Sequence, residues 1–144
     1  MRSDFTPLAR DFQVALLRLV FSGAGEDDLR DFCRAESSAL RRGERDGKLV
    51  YRKILRANAE DYGSETPQVK AARLLGWTSR RGRVSYVMTR EGAKPVGASG
   101  SAAPDYDHYE SHQLLPIAAS IADALGLDAH SWLADSAQFE LGFR

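Results

Sequence analysis

A chain of 144 residues with ordinary apolar (43%) and charged (28%) content is long enough for one compact domain with its own core. No run approaches the roughly 18 uninterrupted apolar residues of a membrane span. The twenty basic and twenty acidic side chains cancel overall but not locally: basic and acidic counts are 5 and 7 in residues 1–39, 14 and 6 in 40–100, and 1 and 7 in 101–144.

Thr6-Pro7 has the form of a helix cap followed by proline in the first turn, and Leu8, Phe12, Leu16, Leu19 and Val20 recur on one face, which predicts a first helix. Gly23 and Gly25 end it. A second helical pattern begins near Asp27 with Leu29, Phe32, Cys33, Glu36 and Leu40 and stops near Gly43. Lys48-Leu49-Val50-Tyr51-Arg52-Lys53-Ile54-Leu55 mixes β-formers with bases and reads as a strand. Thr66-Pro67 starts another helix, carrying Val69, Ala72, Leu74 and Leu75 and closed by Gly76. The basic turn Arg80-Arg81-Gly82-Arg83 leads into Val84-Ser85-Tyr86-Val87-Met88-Thr89, a second strand able to pair with the first.

Residues 91–104, with Gly92, Pro95, Gly97 and Gly100, read as a flexible linker. A long helical segment then opens at Asp105, with Tyr109, His112, Leu115, Ala119 and Ala122 in phase and Pro116 predicting a kink near His112 to Pro116. Asp128 caps a last short helix containing Trp132 and Leu133. The expected fold class is therefore mostly α with a small β element (α+β), with 1–137 as one domain and 138–144 as a tail.

The middle block, with its excess of eight positive charges, suits a polyanion surface, because each cation placed on a phosphate releases condensed counterions. A solvated basic face contiguous only in sequence is the alternative. Catalytic patterns are weak. Asp105-Tyr106-Asp107 superficially resembles paired metal-binding carboxylates, but it opens a helix, where acids complement the dipole. His108 and His112 sit four apart with Glu110 between them and lack a third ligand. The lone Cys33 has helical spacing to Leu29 and Leu40 and reads as a core thiol. The N-terminus, with Asp4 and Phe5 and no small-residue cleavage site, does not read as a secretory signal.

The segment Asp105-Tyr106-Asp107-His108-Tyr109-Glu110-Ser111-His112-Gln113-Leu114-Leu115-Pro116-Ile117-Ala118 resembles the thumb signature of family B DNA polymerases, an Asp-x-x-x-Tyr helix start followed by Gln-x-x-Pro. Asp4-Phe5-Thr6-Pro7-Leu8-Ala9, Lys48-Leu49-Val50-Tyr51-Arg52-Lys53 and Val69-Lys70-Ala71-Ala72-Arg73-Leu74 are similar, in the same order, to stretches of the bacterial DNA polymerase II branch.

The resemblance implies a thumb that grips duplex primer–template DNA. Catalysis is left to a separate palm, fingers and exonuclease polypeptide, and magnesium is expected only in that palm; no catalytic residue, metal site or cofactor is expected in this chain. It further implies a phosphate-tracking surface drawn from Arg52, Lys53, Arg56, Lys70, Arg73, Arg81 and Arg83, with support from Tyr86, Tyr106 and Tyr109. Gln138, Leu141 and Phe143 match the Gln-x-x-Leu-x-Phe form of sliding-clamp ligands. The expected location is cytoplasmic and nucleoid-associated. A free-standing DNA- and clamp-binding regulatory module is the rival reading.

Overall fold

The computed structural model describes residues 5–55, 66–76, 82–97 and 102–133. Within the span read as one domain, the chain forms two compact units: one of Met1–Pro7 and Gly47–Asp105, the other of Leu8–Asp46 and Tyr106–Arg144. The first unit is thus largely an insertion into the second. Among the described residues helices dominate and one three-stranded antiparallel sheet supplies the β element, in keeping with the mostly α class with a small β element that the sequence reading expects.

The interrupted unit is helical. Helix α1 (Pro7–Phe21) starts on its proline, whose missing N–H is harmless in a first turn, and buries Leu8, Ala9, Phe12 and Leu16. Helix α2 (Glu26–Arg41) gathers Glu26, Asp27 and Asp28 at its positive end, buries Leu29, Cys33, Ser37, Ala39 and Leu40, and terminates at Gly43, whose φ of +82° suits glycine. The Phe12 and Phe32 rings stack 5.7 Å apart. Burial, with the Glu36 carboxylate adding to it, pushes the Cys33 thiol up from 9.0 to about 12.

The chain re-enters this unit through α4 (Tyr106–Tyr109), a π-helical turn (Glu110–Leu114) and α5 (Leu115–Ala124). Pro116 explains the π turn. Proline within a helix removes one amide and crowds the carbonyl four residues back, and widening the preceding turn lets the Leu115 amide reach Glu110 O instead. The predicted irregularity is therefore located ahead of the proline. Short α6 (His130–Leu133) begins where Asp128 Oδ1 accepts the His130 amide at 2.9 Å, and it buries Trp132 and Leu133. The Arg34 guanidinium donates twice to Ser131 O, at 3.1 and 2.8 Å, tying α6 to α2.

The π turn also places Glu110 inside. Its Oε1 accepts from Ser37 Oγ and Arg41 Nε, both at 3.0 Å, and from Arg41 Nη2, while Arg41 Nη1 pairs with Asp107 at 2.8 Å. Burial pulls the Arg41 pKa down, but hydrogen bonds to Glu110 and Asp107 outweigh it and hold the guanidinium above its ordinary value.

The inserted unit packs α3 (Pro67–Leu74) on one face of a sheet ordered β1 (Tyr51–Leu55), β2 (Gly82–Thr89), β3 (Gly92–Pro95). Strand β3 lies within the segment read as a flexible linker, which corrects that reading. Gly92 closes the hairpin at φ +97°, and Ala93 and Pro95 bury against β2, so a run poor in bulky residues still forms an edge strand. Past the Tyr51 end of β1, on the edge of β2 away from β3, Arg90 N donates to Ala103 O and Asp105 N to Met88 O, both at 3.0 Å. No helix among the described residues is long and apolar enough to cross a membrane.

Two outcomes follow from the buried polar groups. Arg41→Ala strands a carboxylate whose side chain is 9% exposed, whereas Glu110→Ala leaves a guanidinium that is 36% exposed and reaches water. Urea denaturation is therefore expected to show a loss of about 3 kcal/mol for Arg41→Ala and only about 1–2 kcal/mol for Glu110→Ala; equal losses contradict this account. Cys33 is expected to resist thiol reagents at pH 8 until the chain unfolds. The thiol is protonated in both states below pH 9.0, so its contribution is complete there, and it is lost as pH rises from 9.0 to about 12 because only the unfolded chain ionises. Native labelling of Cys33 at pH 8 as fast as a model thiol is the contrary result.

Candidate nucleic-acid interface

Strand alternation decides where the basic residues of the inserted unit point. Tyr51, Leu55, Val84, Tyr86 and Ala93 share the face covered by α3 and are 6%, 1%, 0%, 3% and 2% exposed. Tyr51 and Tyr86 are direct cross-strand partners and their rings stack 5.2 Å apart. The other face presents Arg52, Ile54, Arg83, Ser85, Val87 and Lys94.

On this open face Arg52 lies opposite Ser85 and Arg83 opposite Ile54, making the two arginines diagonal neighbours. Such diagonal neighbours stand about 7–8 Å apart in ordinary sheet geometry, with their Cβ atoms somewhat closer. Lys94, opposite Val87, adds a third cation on the far strand. None of the three strands contains an acidic residue. Among the described residues, Arg52 and Arg83 form no ion pair, while Lys94 reaches Glu91 at 3.7 Å. Ile54 is 55% exposed between them. Two adjacent guanidinium groups without carboxylate partners are suited to bidentate hydrogen bonding of phosphate oxygens.

The other predicted residues are distributed differently. Lys53 is on the α3 side of β1, partly covered. Lys70 and Arg73 belong to α3, and Lys70 crosses the β2–β3 hairpin so closely that a Cβ on Gly92 would fall 2.5 Å from its Nζ. Arg56 and Arg81 lie outside the described residues, as do Gln138, Leu141 and Phe143. Tyr86 is interior to the inserted unit. Tyr109 is wholly buried in the helical unit, with His108 edge-on at 5.1 Å. Tyr106, also in the helical unit, donates its hydroxyl to Asp46 Oδ1 at 2.8 Å. The open face of the strands thus carries cations, while the three tyrosines are engaged in packing and internal bonds.

Sequence reasoning missed Lys94, because the two-residue alternation of β3 is hidden in a segment punctuated by glycine and proline. It also missed Arg41 and Glu110, which sit on opposite sides of the insertion. His108 and His112 stack with ring centroids 4.5 Å apart, and His112 Nδ1 is engaged with His108 O at 3.2 Å and Ser111 Oγ at 2.9 Å. Among the described residues, no three His, Cys, Asp or Glu side chains gather where they could hold a metal ion.

No protein-family model matches the chain. It is 35% identical to the DNA polymerase II of Escherichia coli over 132 residues, an alignment covering 84% of this chain and 16% of that protein. DNA polymerase 2 of Aeropyrum pernix is 28% identical over 138 residues, covering 88% of this chain and 17% of that protein. Among solved structures, the family B DNA polymerase of Pyrobaculum calidifontis superposes with a TM-score of 0.71 at 25% identity, over 87% of this chain and 18% of that one. The chain spans about a sixth of the length of the relatives it matches. Sequence and backbone thus agree that the chain is homologous to one segment of the family B DNA polymerases.

Proposed function

We propose that the chain is the thumb segment of a DNA polymerase II-like family B polymerase, gripping duplex primer–template DNA while a separate catalytic part carries out templated synthesis. The observation that carries this reading is the open sheet face, where Arg52, Arg83 and Lys94 stand together on strands free of acidic residues. Homology to a polymerase segment supplies the context for that face.

A polymerase holds whatever sequence it has just made, so its grip must use the backbone rather than base edges. Guanidinium and ammonium groups on phosphates meet that need, and the released counterions drive binding without discriminating between sequences. Arg52 and Arg83 are the central cations in this reading. Lys53, Arg56, Lys70, Arg73 and Arg81 are flanking ones. The chain provides grip and positioning, and the metal-bound carboxylates needed for nucleotidyl transfer belong to the partner. Gln138, Leu141 and Phe143 form a sliding-clamp ligand in the same reading, with the two apolar side chains as anchors and the amide fixing register.

Charge reversal of both Arg52 and Arg83 tests the grip by fluorescence anisotropy on unrelated duplexes. Binding is expected to weaken alike for all sequences, and the salt slope to fall by about 0.9 for each phosphate no longer neutralised, or about 1.8 in all. Reversal of Lys53 is expected to have a smaller effect, since it lies on the covered side. Unchanged affinity and slope in the double variant overturn the reading. Deleting residues 138–144 is expected to abolish binding to a bacterial sliding clamp while shifting the unfolding midpoint by no more than about 2 °C. Clamp binding that survives the deletion removes the tail from the proposal.

A further inference from the structure

The chain leaves the helical unit after Asp46 and returns to it at Tyr106. These two boundary residues are bonded to each other, Tyr106 OH to Asp46 Oδ1, at 2.8 Å. The pair rests on Gly43, where a Cβ would lie 3.3 Å from Asp46 Oδ2 and 3.4 Å from the Tyr106 hydroxyl. Residues one and four positions beyond Tyr106 then grip the end of α2, Asp107 through Arg41 and Glu110 through Arg41 and Ser37. The bond nearest the insertion is therefore the outermost stitch of a series along one seam.

We propose that Tyr106 and Asp46 are a positioning pair, a clasp that holds together both ends of the inserted Gly47–Asp105 unit and so limits the freedom of the segment carrying the phosphate-binding cations. The clasp acts through the backbone, without touching nucleic acid. A binding surface whose attachment points are already ordered loses less conformational freedom when it engages its target. With the hydroxyl removed, the Arg41–Asp107 pair becomes the outermost tie of the seam, and more of the ordering of the two junctions falls to the binding event. The effect on duplex affinity rests on the function proposed above; the effect on the seam does not.

The test compares Tyr106→Phe, Asp46→Ala and Asp46→Asn in the full chain by amide hydrogen exchange, duplex binding and thermal unfolding. Tyr106→Phe and Asp46→Ala are expected to speed exchange at residues 43–48 and 103–107 severalfold. They are also expected to lower duplex affinity about three- to fivefold, the scale of one partly exposed hydrogen bond. Asp46→Asn keeps an acceptor oxygen and is expected to restore both properties. Faster exchange with unchanged affinity for duplex overturns the positioning role. Weaker binding with unchanged exchange also overturns it and makes Tyr106 a direct DNA contact. If the unsubstituted chain binds no duplex, the proposed grip fails by itself, and exchange at the two junctions, with rescue by Asp46→Asn, decides the clasp.

Discussion

A carboxylate removed from water must be met by donors, and Glu110 finds its main one in Arg41, 69 residues earlier in the chain. That requirement organises the helical unit. Arg41 closes α2 and Glu110 sits in the turn that begins the second half of the unit, so the bond joins the two halves across everything inserted between them. Ser37 adds a neutral donor from the same helix, and Asp107 draws the remaining face of the guanidinium toward solvent. Apolar surfaces alone permit many sliding arrangements of one helix on another. A charged group with partners at fixed positions permits far fewer, which is how polar seams can select a register even where their net stabilisation is small.

The backbone irregularity and the polar seam are two sides of one accommodation. An unbroken α-helix from Tyr106 to Ala124 would set the Pro116 ring against the carbonyl four residues back. Inserting a π turn resolves the clash and rotates the residues that follow. In that turn Glu110 and Gln113 face inward beside Leu114, while His112 remains outside. The placement of a polar pair among buried neighbours follows from a proline several residues later.

Much of the architecture was legible from local chemistry. Thr6-Pro7 and Thr66-Pro67 marked helix starts because proline is preorganised for a first turn, and Gly43 and Gly76 marked ends because glycine tolerates positive φ. The pairing of β1 with β2 could be guessed from β-branched and aromatic content. The third strand could not, because Ala93 and Pro95 carry little hydrophobic signal and their burial depends on β2 and α3 being in place. The candidate site was legible as a charge excess but not as a surface. Counting Lys and Arg in order puts Arg52 beside Lys53, and a two-residue period puts them on opposite faces of the sheet. Long-range partners such as Arg41 and Glu110 leave no trace in any short window.

The interrupted order of the helical unit has a kinetic side. Helices α1 and α2 are made first, yet the segment that covers them is separated from Asp46 by the whole inserted unit. At ordinary rates of synthesis that interval lasts roughly 3–12 s, far longer than helix or hairpin formation takes. The inserted unit, built from neighbouring strands and one helix together with the already synthesised Met1–Pro7, can close during the wait. The first two helices must meanwhile hold Leu29, Cys33 and Leu40 without their final cover. During synthesis, apolar surface therefore stays uncovered longest on the earliest helices, which wait for their latest partners.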